Sequence, residues 1–147
     1  MKVIVDTNIV FSAIISDKGK IGELLLNKPG DLQFLSPIFL MEELDKHAMR
    51  LMSITGYSEA EYQQIKFFVS RNIEFIDLKR IAKKYWEMSY QLLKDIDEDD
   101  VSFLALNLEI NGNLWTGDKK LINGLANKNY SKMITTDALY TKYFGSR

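Results

Sequence analysis

At 147 residues the chain has the length of one domain, and chains of this size bury enough surface to fold without a disulfide or zinc staple. Its 46% hydrophobic and 27% charged residues, with two prolines and eight glycines, exclude collagen-like, linker-like and disordered classes, and zero cysteines with one histidine, His47, exclude thiolate catalysis, Fe–S clusters and His-rich metal sites. Nineteen basic against twenty acidic residues leave a net charge of −1, so no global basic field announces nucleic acid, and any such contact rests on a local patch.

Lys2 to Val5 is a short β-branched run closed at once by Asp6-Thr7-Asn8. It reads as a buried parallel strand turning into a helix over about 8–16. A second helix covers about 21–27 and stops at Pro29-Gly30. Leu32 to Leu35 is a second strand. Ser36-Pro37 reads as an N-cap with proline at the first helical position, opening a helix that runs to about Met52. Its apolar stripe is Leu40, Leu44, Ala48 and Leu51.

Gly56 breaks the chain, and Ser58 with Glu61 fits a capping box. The helix that follows carries Tyr62, Ile65, Phe68 and Val69. Ile73 to Ile76 is a third strand, and a helix covers about 78–93. The run Asp95-Ile96-Asp97-Glu98-Asp99-Asp100 leads into Val101, Leu104, Ala105 and Leu108, spaced i, i+3, i+4, i+7. That is a helix with an acidic first turn, ended by Gly112. Leu114 to Thr116 is a strand, Asp118 opens a helix, Met133 to Thr135 is the last strand, and a final helix starts near Thr136. Alternating strands and helices predict a single α/β domain over 1–147 with a mostly parallel sheet.

In such sheets ligands bind beyond the carboxyl ends of the strands. Asp6 follows the first strand, Asp118 follows the Leu114–Thr116 strand, and Asp100 opens the helix before that strand. Glu43 lies in the helix after the second strand. Carboxylates converging at one sheet edge persist when a cation neutralises them or some stay protonated. Oxygen-only ligands point to Mg²⁺ or Mn²⁺ rather than zinc or copper, and that donor set suits metal-assisted attack of water on a phosphodiester. Taken singly, each signal has a plainer reading. Asp6-Thr7-Asn8 is also a strand-to-helix turn, the acidic run is also dipole-complementing capping, and His47 is a surface or boundary residue. The order and spacing of the signals together are what is specific.

Val3-Ile4-Val5-Asp6-Thr7-Asn8, Glu43-Leu44, Asp100-Val101-Ser102-Phe103-Leu104-Ala105-Leu106 and Leu114-Trp115-Thr116-Gly117-Asp118-Lys119-Lys120 together resemble the PIN-domain ribonucleases. The likeness is strongest to the bacterial toxins of type II toxin–antitoxin pairs and spans roughly residues 2 to 140. It implies a three-layer α/β/α PIN-like fold. It also implies an endoribonuclease acting on single-stranded RNA, with Asp6, Glu43, Asp100 and Asp118 around Mg²⁺ or Mn²⁺ and Asn8 and Thr116 as polar supports. Glu42 competes with Glu43 for the inward position. Asp97, one turn before Asp100, is read as a more distant support. Lys18, Lys20, Lys119 and Lys120, all beside motif ends, are the candidates for phosphate contact. The resemblance also implies a cognate antitoxin, and a homo-oligomer is expected. Tyr140, Tyr143 and Phe144 are expected to pack on the domain rather than dock a partner. The first residues do not form a signal peptide and no apolar run approaches the ~18 residues of a membrane span, so a cytoplasmic, membrane-free protein is expected. The competing reading is a PIN-fold binding module with negligible turnover, acting through a protein or RNA partner.

Overall fold

A computed structural model of the protein describes residues 1–145. Five parallel strands form one sheet in the order β3-β2-β1-β4-β5: β1 Lys2–Val5, β2 Gln33–Pro37, β3 Ile73–Ile76, β4 Asn113–Trp115 and β5 Met133–Ile134. β1 is central, pairing with β2 on one side and β4 on the other. Its sequence explains the position. Val3 and Val5 point into one apolar cluster and Ile4 into the other, because side chains alternate across a strand. A strand buried on both faces has to be apolar at every position, and all three residues have zero exposure.

Helices cover both faces, giving the three layers expected. Against the Val3/Val5 face lie α1 (Thr7–Ile15), α2 (Lys20–Leu26), α3 (Phe39–Lys46), α4 (Ala48–Thr55), α5 (Glu59–Ser70) and α9 (Thr136–Phe144). Against the Ile4 face lie α6 (Lys83–Leu93), α7 (Val101–Ile110) and α8 (Lys119–Ala126). α7 buries five consecutive residues, Phe103 to Asn107, since it is sandwiched between the sheet and α6 and needs an apolar surface on both sides. Among the described residues no helix is long and apolar enough to cross a membrane.

The capping box at Ser58 and Glu61 forms in both directions. Gly56 ends α4 in the left-handed conformation, φ 76°, which an L side chain rarely adopts. Gly112 is needed for a different reason: a Cβ there would meet the Lys2 carbonyl oxygen at 2.8 Å, so glycine lets β4 close onto β1.

Three elements differ from their sequence reading. Ser36 and Pro37 belong to β2, not to a helix start. Ser36 Oγ donates to the Val5 carbonyl at 3.0 Å. The register with β1 ends at Ile4 opposite Leu35, so Pro37 sits where only β3 remains beside it and a missing N–H is tolerated. The helix expected to run to Met52 is two helices bent at His47 (φ −101°, ψ 11°). The bend keeps its hydrogen bonds, since His47 N–H donates to the Glu43 carbonyl and Leu51 N–H to the His47 carbonyl, both at 3.0 Å. The helix expected from Leu78 is a 3-10 turn, Leu78–Arg80, followed by α6. Between them Ile81 is extended and buried in the Ile4-side cluster, which outweighs continuing the helix.

Candidate metal centre

Neighbouring parallel strands end at the same edge of a sheet, so residues just past β1 and β4 meet. Asp6 follows β1 and caps α1, accepting from Asn8 N–H at 3.4 Å. Thr116 follows β4 and is wholly buried. Its hydroxyl donates to Asp6 Oδ2 at 2.9 Å and accepts the Asp118 N–H at 3.1 Å. Asp118 caps α8, with Oδ1 accepting from Lys120 N–H at 3.0 Å and Leu121 N–H at 3.3 Å. One threonine thus ties the two strand-end carboxylates together. Burial pushes the Asp6 carboxyl above its ordinary value, opposed by the Thr116 hydrogen bond.

A 3-10 turn, Glu98–Asp100, brings the remaining acids to the same edge. Asp97 caps the turn, accepting from Asp99 N–H at 2.9 Å. Asp97, Asp100 and Asp118, all half-buried, each present a carboxylate oxygen within 4.8 Å of the other two. Asp100 titrates at about 7 instead of 3.8, first because it is buried and then because Asp6, Asp97, Asp118 and Asp99 crowd it with like charge. No capping hydrogen bond reaches its side chain. Carboxylates held together without a compensating cation behave in this way, and an all-oxygen donor set of this kind fits a hard divalent ion.

The acids lie in a cleft of about 810 Å³. Asp6, Asn8, Asp97, Asp99, Asp100 and Asp118 line its floor, and Glu43 faces it from α3. Glu42 is exposed and does not line it. Glu43 Oε2 is 3.3 Å from His47 Nε2, and the His47 ring meets Phe11 edge-on at 5.5 Å. Lys46 and Arg50 also line the cleft from the α3–α4 face, and Phe39, Leu78, Trp86 and Phe103 are its apolar lining.

Of the residues read from sequence, the structure gathers Asp6, Glu43, Asp97, Asp100, Asp118 and Asn8 around this cleft and places Thr116 beneath it. Asp97 presents a carboxylate oxygen within 4.8 Å of those of Asp100 and Asp118. Lys18, Lys119 and Lys120 are exposed and do not line the cleft. Lys20 pairs with Asp137 at 2.9 Å and lies over the Tyr140 ring. Of the C-terminal aromatics expected to pack on the domain, Tyr140 lies in the Val3-side core and donates to Glu23 Oε2 at 2.9 Å, Tyr143 packs against that core, and Phe144 is exposed, touching the Tyr140 ring at 5.0 Å. Sequence reasoning missed Lys46, Arg50 and Trp86. The signal for the first two was present: Glu43, Lys46, His47 and Arg50 are spaced i, i+3, i+4, i+7, one helical face carrying an acid and three bases.

A family profile described as PIN domain matches residues 4–138. No curated protein sequence matches the chain. In fold it is similar to a chain in the crystal structure of VapBC2 from Rickettsia felis bound to a DNA fragment from their promoter. The TM-score is 0.71 at 16% identity, over 92% of this chain and 98% of that one.

Proposed function

The chain belongs to the PIN-domain family, and from that premise we propose that it is a divalent-metal-dependent endoribonuclease, acting as one domain that hydrolyses phosphodiester bonds in single-stranded RNA. The observation that carries the reading is the trio Asp97, Asp100 and Asp118, two from the 3-10 turn and one from the start of α8, brought within 4.8 Å at the carboxyl edge of the sheet. Mg²⁺ or Mn²⁺ is the ion proposed, held by this trio with Asp6 and Glu43 beside it. When bound, such an ion supplies Lewis acidity: it makes water nucleophilic at neutral pH and offsets charge on the phosphoryl oxygens.

The chain's own residues supply the rest. Thr116 fixes Asp6, and the α8 amides fix Asp118, so both carboxylates are aimed before an ion arrives. Asp100, pushed up to about 7 by burial and its acidic neighbours, would give up its proton to hold a cation. No side-chain nucleophile is required, which suits a chain with no cysteine and one histidine. The likeness to a chain of VapBC2 supports the wider proposal of a toxin that assembles as a homo-oligomer with a cognate antitoxin.

The test is cleavage of unpaired and duplex oligoribonucleotides by purified protein in Mg²⁺, in Mn²⁺ and in EDTA. Cutting of the unpaired strand is expected with either ion and none in EDTA. Asp6→Asn, Asp100→Asn and Asp118→Asn each reduce the rate by roughly a hundredfold or more. Equal cutting in EDTA, or by Asp100→Asn, would sink the reading.

A further inference from the structure

We infer that the cleft grips a nucleotide next to the scissile phosphate between two unlike walls: Trp86 stacks on its base, and Lys46 with Arg50 take the phosphates on either side. The inference rests on the nuclease reading of the acidic floor and adds the residues that recognise the substrate.

Lys46 and Arg50 are exposed, one helical turn apart on the α3–α4 face that borders the cleft. Among the described residues neither has an ion-pair partner, although the floor below them is crowded with carboxylates. Two free cations beside a floor that repels anions are suited to a ligand whose negative charges are spaced along a backbone. Glu43, on the same face, contacts His47 at 3.3 Å and makes no ion pair with either cation.

Trp86 is half-buried on α6 and packs on the Ile4-side core, yet it also lines this charged cleft. An indole at the border of a polar cleft offers a flat face that accepts any base, and stacking of this kind tolerates every sequence. The cleft, at about 810 Å³, has room for a nucleotide or two. A duplex keeps its bases stacked inside and has no free face for Trp86, so the arrangement selects unpaired strands at the cut.

The other tryptophan, Trp115, has zero exposure, so its emission is a constant background and quenching by a ligand in the cleft reports on Trp86. Binding is read without cutting on an Asp100→Asn background in Mg²⁺. Saturating with an unpaired oligoribonucleotide should quench the emission, and a blunt hairpin should not. Trp86→Leu should weaken binding roughly tenfold while Trp86→Phe, which keeps a stacking ring, holds most of it. Lys46→Ala and Arg50→Ala should each weaken binding and each lower the slope of log affinity against log salt by about 0.7. Unchanged emission at saturation, or wild-type affinity in Trp86→Leu and Arg50→Ala, overturns the inference. The same substitutions in the otherwise unaltered protein separate the two readings. If they bind and cut like wild type in Mn²⁺, the walls are wrong and the nuclease stands. If wild type neither binds nor cuts RNA, both fall.

Discussion

Asp118 and Asp100 share one floor, yet they are held on opposite terms. Asp118 receives two backbone N–H groups from the first turn of α8, and its neighbour across the strands, Asp6, receives the Thr116 hydroxyl. Asp100 receives no capping bond and faces four like charges. The strand-end half is therefore fixed in place by hydrogen bonds, although burial still raises the Asp6 carboxyl. In the turn half Asp100, unfixed and crowded, is pushed up to about 7. Preorganisation and responsiveness are divided between two regions a few ångströms apart.

The largest effect that would sharpen this contrast is ion-induced stabilisation. An ion that binds only the folded chain stabilises by roughly 2.7 kcal/mol at a hundredfold excess over its dissociation constant. Thermal melts should therefore rise by several degrees on adding Mn²⁺ to protein prepared in EDTA. Asp100→Asn should lose most of that rise. If wild type melts alike in both buffers, the acids are helix caps and the contrast has no basis.

Thr116→Val probes the prepared half. It keeps the shape and removes the hydroxyl, leaving Asp6 and the Asp118 N–H without their shared partner. A loss of roughly 1.5–3 kcal/mol is expected in denaturant titration, the usual range for a hydrogen bond to a charged group. Wild-type stability in that variant would mean that the threonine does not hold the strand ends.

A smaller effect tests the responsive half. The Asp100 carboxyl titrates at about 7 in the folded chain against 3.8 ordinarily. Between those values the folded chain holds a proton that the unfolded chain has shed, so stability falls as pH rises from about 4 and the loss is complete above about 7. In EDTA, wild type should melt lower at pH 8 than at pH 5. Asp100→Asn should show a flatter profile, on the order of 1 kcal/mol better at the alkaline end. A wild-type profile that rises over this window would contradict the raised value.

The smallest expected difference lies on the α3 wall. Glu43→Gln should slow cleavage about tenfold, while Glu42→Gln, outside the cleft, should cut at the wild-type rate. The reverse pattern would move the inward position to Glu42.

Local signals carried much of this architecture. The apolar run at Val3–Val5, the Ser58/Glu61 box and the Gly56 stop each depend on residues within a turn or two, and each forms as the sequence indicates. Asp6 and Asp118 are legible because strand ends in a parallel sheet share an edge, and Asp100 because it opens the apolar helix that leads into β4. What escaped depended on distant partners. Ser36-Pro37 looks like a helix start until Val5 and β3 are beside it. Ile81 breaks a helical pattern because the core claims it. Lys119 and Lys120 were attractive through their nearness to Asp118 in sequence. The backbone of Lys120 serves that carboxylate, while both lysine side chains stay at the surface. Lys46 and Arg50 lie outside the quoted motifs, although helical spacing from Glu43 aligns them with it.

The position of β1 also governs how the chain reaches its folded state. β1 meets β2 across 31 residues, as Ser36 bonding to Val5 shows, but it meets β4 across 110, the separation of Thr116 from Asp6. Closing the longer loop costs more entropy and rewards the chain later. Until it closes, Asp6 and Asp118 are on separate parts of a half-collapsed chain, and the carboxylate floor does not exist. The carboxylate floor is thereby coupled to the pairing of β1 with β4, the longest sequence separation within the sheet.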